Sequence, residues 1–532
     1  MTTYQTIANV KGPQGIRGLP GVLALNNDVA TAALIEEPTS DTSIALSNRI
    51  PVGVNVKAFG AVGDKVTDDT IAIQAAIDYA QTLVRDAGTP AFNKQQDGAT
   101  VYFPKGMYKI TGTLLVSESN IMVEGESSSA SVLYAPSATF DLLQFDNPSY
   151  ALYNNGVRNL KFSTPGNATA GFHLTVAHAI YFTAENLLLN GWFGGLRLIG
   201  GGKLMFRSIM FSQEVRALTT TTTGAAIQLD NSAEYLYPSD VHFTDIQIME
   251  DIAYAGVDSV VINGCDGVYF NNCHLHGTVK VSATGTVPVY TLIFTNVYFD
   301  GSRDVCVDLG GNPVNGYEDI RFVGCYFRGS VSGLKFSAAR IIKSVIVSAC
   351  RFAQNQLAGL DMTNANQVDV VITGCVFDGN NTSNDAASAD VKLNGSSILL
   401  TNSTFTGGGA AGYGVIVDAA ADFVTISDVG FVNSAVTLVR RILDGGTDTK
   451  LRGNLGWITR DRNVHNVPSG ATTYTAAHGC QILPTLQSIT LTPGASCPAH
   501  WVSNITATTF QINFASATSG IIPMGYEVNM ES

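Results

Sequence analysis

Charge is scarce in this chain. Asp, Glu, Lys and Arg make up 14% of its 532 residues, against about 25% in an average domain. Its 43 acidic residues outnumber 30 basic ones, for a net charge of −13. Such a chain lacks the basic footprint of a nucleic-acid binder. Cysteine is scarce too. Eight in 532 residues cannot staple a disulfide scaffold. No apolar run reaches the ~18 residues of a membrane span, so no membrane insertion is expected. The opening MTTYQTIANVKGPQG holds no apolar signal core. The expectation is synthesis in a cytoplasm, with exit by a route such as lysis. No His/Cys set has firm metal-ligand spacing. His274 and His276, alternating with Leu275, are a weak zinc signal, and no cofactor is expected.

Glycine and apolar residues are plentiful instead, with 53 Gly and 45% hydrophobic residues. That suits a large core interrupted by many turns. Gly12, Gly15, Gly18 and Gly21 fall at collagen spacing, with Pro13 and Pro20 between them. Wound triplets would make the molecule a homotrimer, because only Gly fits the axis of three chains. A flexible linker is the competing reading. Residues 1–50 are therefore expected to be an attachment segment or tether.

Residues 54–84 read as a short strand, a turn at Gly60 and Gly63, and a helix. Thr67 is the expected N-cap, with Asp68 and Asp69 in the first turn. Ile71, Ala75, Ile77, Ala80 and Val84 form its expected apolar face, and Gly88 its end. Asp64, Asp68 and Asp69 read as turn and capping acids rather than metal ligands.

The middle of the chain repeats. LIFTNVYFDG (292–301), IRFVGCYFRG (320–329), VIVSACRFAQ (345–354) and VVITGCVFDG (370–379) align without gaps. With the last apolar residue of each motif at position zero, the series runs from Phe162 through Phe299, Phe327, Phe352 and Phe377 to Phe431. A period of about 26 residues with strand patterning means a solenoid of stacked coils. Position −3 (Asp245, Asn272, Asn296, Gly324, Ala349, Gly374, Asn402) is rich in residues that tolerate a left-handed corner. Positions −5, −2 and 0 point inward. Cys273, Cys325, Cys350 and Cys375 all occupy −2 and read as buried free thiols. On a third strand, His173, Arg197, Gln228, Lys280, Lys335, Asp361 and Lys392 are expected to point out.

VKAFGAVGDKVTDDTIAIQAAI followed by VYFPKGMYKI (101–110) resembles the opening of pectate-lyase-like β-helix proteins, including bacteriophage tailspike depolymerases. The resemblance covers about 60 residues and speaks to fold rather than substrate. It implies a right-handed parallel β-helix over 51–460, capped by the N-terminal helix. It also implies a virion tail protein, attached to the tail or baseplate through its N-terminus, that binds and cleaves a bacterial surface polysaccharide. A non-enzymatic receptor-binding fibre of the same build is the alternative. Residues 461–532 read as a small β-sandwich for trimerisation or sugar binding. There Cys480 and Cys497 either pair or lie buried, and Trp501 reads as a core residue rather than a sugar platform.

Candidate site residues come from contrast between coils. Position −1 reads Gln247, His274, Tyr298, Tyr326, Arg351, and then turns bland at Val376 and Thr404. Position +1 reads Met249, His276, Asp300, Arg328, Ala353, Asp378. Aromatic faces stack on sugar rings, and Arg and His grip anions. A trimer interface would also favour Tyr and Arg. Glu250 and Asp251 precede Asp300 and Asp304 by two coils, about 9.5 Å, a spacing an inverting glycosidase can use. These four are the candidate catalytic acids. His274, His276, Tyr298, Arg303, Tyr326, Arg328, Arg351 and Lys280 are the candidate substrate-binding residues. Inverting hydrolysis is the preferred reaction. A lyase using Arg303, Arg328, His276 and Lys280 is the alternative. The long coil carrying Glu214, Asp230, Glu234, Tyr235 and Tyr237 is the reserve cleft.

Overall fold

A computed structural model describes the short strands Leu34–Glu36 and Ser43–Ala45 and, from 53 to 530, all residues except 85–97, 138, 165–169, 192, 213–223, 233–236, 250–257, 286, 302–303, 314–315, 363, 365, 408–411, 433–439, 456–459 and 481–482. The Gly12–Gly21 triplets and Gly88 lie outside the described residues.

The middle of the chain is a parallel β-solenoid. One coil shows the plan. Strand Tyr317–Val323 turns a corner at Gly324 into the short strand Tyr326–Arg328, and a second turn leads to Ser332–Phe336. The next coil repeats this as Ile342–Ser348, Arg351–Ala353 and Ala358–Asp361, each paired in parallel with its predecessor. Stacked third strands make a 13-stranded sheet. The first two strands of each coil make a second, larger one.

The corner has a simple cause. Asp245, Asn272, Asn296, Gly324, Ala349, Gly374 and Asn402 all have φ between 50° and 65°. This left-handed conformation is open mainly to Gly, Asn and Asp. Ala349 is the exception among them in residue type.

Inside, two phenylalanine columns stack ring on ring. Phe206, Phe243, Phe270, Phe294 and Phe322 follow one another at 4.6–5.1 Å. Phe299, Phe327, Phe352, Phe377, Phe405 and Phe431 do so at 4.5–5.0 Å. Beside them Cys273, Cys325, Cys350 and Cys375 are buried free thiols. Buried Asn355 donates to Asn380 Oδ1 at 2.8 Å, and Asn380 donates to the Phe352 carbonyl at 3.0 Å, which satisfies the turn behind the column.

The helix is Thr70–Leu83. It starts later than its expected cap, because Thr67 belongs to the strand Asp64–Asp68, where its hydroxyl donates to Asp64. Asp69 holds the cap position, but its carboxylate accepts from Val62 and Gly63 backbone N–H at 2.7 and 3.0 Å. Asp64 and Asp69 serve local turns, while Asp68 accepts from Thr70 and, farther along the chain, from Thr111 Oγ1 at 2.6 Å. The buried face is Ile73, Ala76, Ile77 and Ala80, in one core with the first coils. Ile71 and Ala75 face solvent instead, since the apolar stripe runs at i, i+3, i+4 spacing through Ile73, Ala76, Ile77, Ala80 and Val84.

Three outward expectations fail on the third strand and its neighbours. His173 is fully enclosed, its Nε2 against Thr164 Oγ1 at 3.0 Å. Thr175 is the residue in register with Arg197. Asp361 keeps the expected register between Lys335 and Lys392 but is only 7% exposed. Ala353 is buried as well.

After the solenoid the chain forms two three-stranded antiparallel sheets around Phe510, Ile512, Met524 and Val528. Trp501 is not in this core. It sits on the outer side of strand His500–Ser503, 53% exposed, because Val502 takes the inward place. Cys480 and Cys497 are both free.

Candidate functional site

Two rows of side chains cross the short strands after the corner. His274, Tyr298, Tyr326 and Arg351 are neighbours in register, and so are His276, Asp300 and Arg328. Leu275, Phe299, Phe327 and Phe352 lie between the rows and are buried. Alternation along each strand therefore presents both rows to solvent together. The second row is interrupted after Arg328, where the buried methyl of Ala353 takes the next place, and Asp378 follows in register.

The first row is a graded aromatic surface. His274 and Tyr298 lie 4.7 Å apart between ring centroids, and Tyr298 and Tyr326 lie 4.9 Å apart. The Arg351 guanidinium stands 5.4 Å from the Tyr326 ring and pairs with Asp378 at 2.5 Å.

The rows act on one another: Arg328 and Asp300 flank the Tyr298 hydroxyl, Arg328 favouring its ionised form and Asp300 opposing it. Burial pushes the Tyr298 hydroxyl up from its ordinary value, and Arg328 pulls the other way. Arg328 also donates from Nε to Gln354 Oε1 at 3.1 Å. Burial pushes His274 and His276 below the usual imidazole range, against the opposing pull of Asp300. Both are neutral rings at pH 7. His274 Nε2 and His276 Nδ1 are buried atoms without a hydrogen-bond partner among the described residues. Gly301 makes this possible. Its φ is +66°, and a Cβ there would lie 2.0 Å from His276 Nε2.

Around the edge, the 13-stranded sheet carries a second, charged group. Lys280, Asp308 and Lys335 are in register, and exposed Asp304 precedes strand Val305–Leu309. Asp258 opens the strand two coils before, about 9.5 Å along the axis. Burial raises the Asp258 carboxyl above its ordinary value, Lys280 opposes this, and Asp304 and Asp308 add to it. A carboxyl raised above its ordinary value is better suited to act as an acid. Sequence reading picked Lys280 and Asp304 from this group but missed Asp258 and Asp308. Asp308 was findable, because it holds the same offset in its strand as Lys280. Asp258 opens a strand outside the repeating motif and carried no signal.

Glu250, Asp251 and Arg303 lie outside the described residues, as do Glu214, Glu234 and Tyr235 of the long coil. Asp230 of that coil is committed elsewhere. It accepts from Arg197 Nε at 2.6 Å and from Asn263 Nδ2 at 2.8 Å. Among the described residues, no group of three or more His, Cys, Asp or Glu is placed to hold a metal ion, and no helix is long and apolar enough to cross a membrane.

Residues 53–186 match the family described as rhamnogalacturonase A/epimerase, pectate lyase-like. Mannuronan C5-epimerase AlgE2 of Azotobacter vinelandii is 24% identical over 300 residues, which is 54% of this chain and 26% of the relative. The match thus spans about a quarter of that protein. Among solved structures, the A-module of mannuronan C-5 epimerase AlgE6 from the same organism has a TM-score of 0.50 at 17% identity, covering 75% of this chain and 98% of the module. The tailspike protein gp49 of Pseudomonas phage LKA1 has a TM-score of 0.45 at 10% identity, covering 90% and 100%. The AlgE6 likeness is one of fold.

Proposed function

We propose that this chain is a polysaccharide-modifying enzyme acting on an acidic surface glycan, and that it works by removing the proton beside a uronate carboxylate. The carrying observation is the pair of neutral histidines with unpartnered ring nitrogens beside Tyr298, Asp300 and Arg328, which face one surface in register. A neutral imidazole with a free lone pair can take a proton. The Tyr298 phenol can return one, and Arg328 can neutralise the substrate carboxylate. Elimination then yields an unsaturated sugar, whereas reprotonation from the opposite face yields an epimer. The described corner rows hold two outward carboxylates, Asp300 and, three coils on, Asp378, which is paired with Arg351. An inverting hydrolase needs two acids about 6.5–9.5 Å apart. The epimerase activity at C5 of the AlgE2 relative agrees with this chemistry.

The test uses polymannuronate, followed by absorbance near 235 nm (roughly where an unsaturated uronate absorbs, a property of the product) and by proton exchange from solvent into C5. Tyr298→Phe and His276→Gln should each lower the rate about 10²–10⁴-fold. Full activity in both variants sinks this reading.

Inverting hydrolysis remains a second reading, and Asp258 favours it. Its raised carboxyl could protonate a leaving oxygen while Asp304 or Asp308, about two coils away, activates water. Release of reducing ends without 235 nm absorbance, abolished by Asp258→Asn, selects it. Attachment to a virion tail and a homotrimeric state rest on the sequence resemblance and the Gly12–Gly21 triplets. Light scattering should then give about three times the 56.2 kDa chain mass.

A further inference from the structure

Besides the corner after position −3, each coil has another left-handed residue, early in its first long strand or just before it. In most coils it is a residue that suits that conformation: Asn154, Asp240, Gly267, Asp319, Ser344, Asp369, Ser397 and Asp448. In four coils it is not: Thr291 has φ +45° and Phe423 φ +51°, and in two adjacent coils Tyr181 has φ +59° and Lys203 φ +58°. A bulky side chain pays for this backbone, and such outliers gather at functional sites.

The adjacent pair, Tyr181 and Lys203, lines open cavities. One of about 410 Å³ is bounded by Tyr181, Thr183, Lys203, Met205, Asp240 and His242. The next, about 340 Å³, shares Lys203 and Asp240 and reaches Tyr237. Both fall in the size range of small-ligand sites. The Tyr181 ring is half exposed. Lys203 lies over it, with Nζ 5.0 Å from the centroid and 3.2 Å from the hydroxyl. Among the described residues no carboxylate pairs with Lys203. His242 stacks flat on Tyr269 at 4.6 Å and 9°, which carries the aromatic surface one coil toward His274.

We propose that the Tyr181–Lys203–His242 cavities are a binding subsite for an acidic sugar of the same chain that enters the candidate site. The aromatic faces take the pyranose, and the Lys203 ammonium takes its carboxylate. Asp240 is placed to accept from ring hydroxyls. The inference rests on the substrate being an acidic polysaccharide. The cavities lie two to four coils before Tyr298, about 10–20 Å along the axis. A ligand must be several sugars long to touch both, so affinity should rise with chain length.

The test measures binding to the full chain by calorimetry, with mannuronate hexasaccharide, mannuronate disaccharide and the neutral cellohexaose as probes. Asn suits a left-handed backbone, so Tyr181→Asn and Lys203→Asn should hold or raise the melting temperature while weakening hexamannuronate at least tenfold. Phe423→Asn is the control. Phe423 has φ +51° and is exposed far from the cavities. Its replacement should raise the melting temperature without touching affinity. Wild-type affinity for both cavity variants, equal affinity for cellohexaose, or no hexamannuronate binding by the wild type overturns the subsite. Asp300→Asn is run in parallel for turnover. If it loses turnover while the cavity variants bind normally, the catalytic reading stands and the subsite falls. If the cavity variants control binding while no uronide is turned over, the subsite stands and the catalytic reading falls.

Discussion

Replacing Phe327 by Ala tests how the solenoid carries its stability. Phe327 has no exposed surface and touches three rings: Phe299 at 4.8 Å, Phe352 at 4.5 Å and Phe322 at 5.6 Å. Phe431, at the end of the same column, touches only Phe405, at 5.0 Å, among the ring contacts described. Truncating a buried Phe costs about 3–5 kcal/mol, and each aromatic pair adds about 0.5–1.5 kcal/mol beyond its buried area. Two fewer pairs should make Phe431→Ala milder than Phe327→Ala by about 1–3 kcal/mol. A solenoid also loses two coil interfaces when an interior coil is damaged and one at its end. Urea unfolding followed by far-UV dichroism reads the difference. Phe327 sits between Tyr326 and Arg328 on one three-residue strand, so its loss should also disorder both rows of the site. Equal destabilisation by the two substitutions, or a larger effect at Phe431, would refute the column as the unit of stability.

His173 gives a pH signature. Burial holds its pKa down to about 3, so below the unfolded value near 6.5 the unfolded chain takes up a proton that the folded chain refuses. Stability should then fall by about 1.4 kcal/mol per pH unit from pH 6.5 downward. The urea midpoint between pH 7 and 5 should flatten in His173→Gln, and an unchanged slope contradicts this. Thiol titration without reductant should find all eight cysteines free after denaturation. A count of six would mean that Cys480 and Cys497 pair. In the native state only Cys497, the one not fully buried, should react quickly.

Much of the coil was legible because three constraints repeat at one spacing. An apolar pair faces inward, a small thiol sits beside it, and a corner demands Asn, Asp or Gly. Each failure has a local cause. The helix began late because Asp64 and Asp69 tie their carboxylates to backbone N–H groups of the preceding turn, and no spacing rule reports that. His173 was misread because its strand, Phe172–Ala177, is buried on both faces and so lacks alternation. Trp501 was assigned to a core that Val502 and Ile512 fill. Tyr298, Asp300 and Arg328 come from two coils, and only register brings them together. Tyr181 and Lys203 carried no sequence signal at all, since their peculiarity is a backbone angle.

The corner residues also bear on how such a chain can change over generations. Tyr317, Ile342 and Gln367 occupy one register position in three successive coils. Excising residues 342–366 would bring Gln367 beside Tyr317 with every inward column intact. Length can therefore vary in whole coils of about 25 residues without a frame error. A gene that gains or loses such a unit moves one end of the binding face relative to the other by a single rung. Reach along a glycan becomes a trait that recombination can adjust stepwise, while the chemistry on each remaining coil is inherited unchanged.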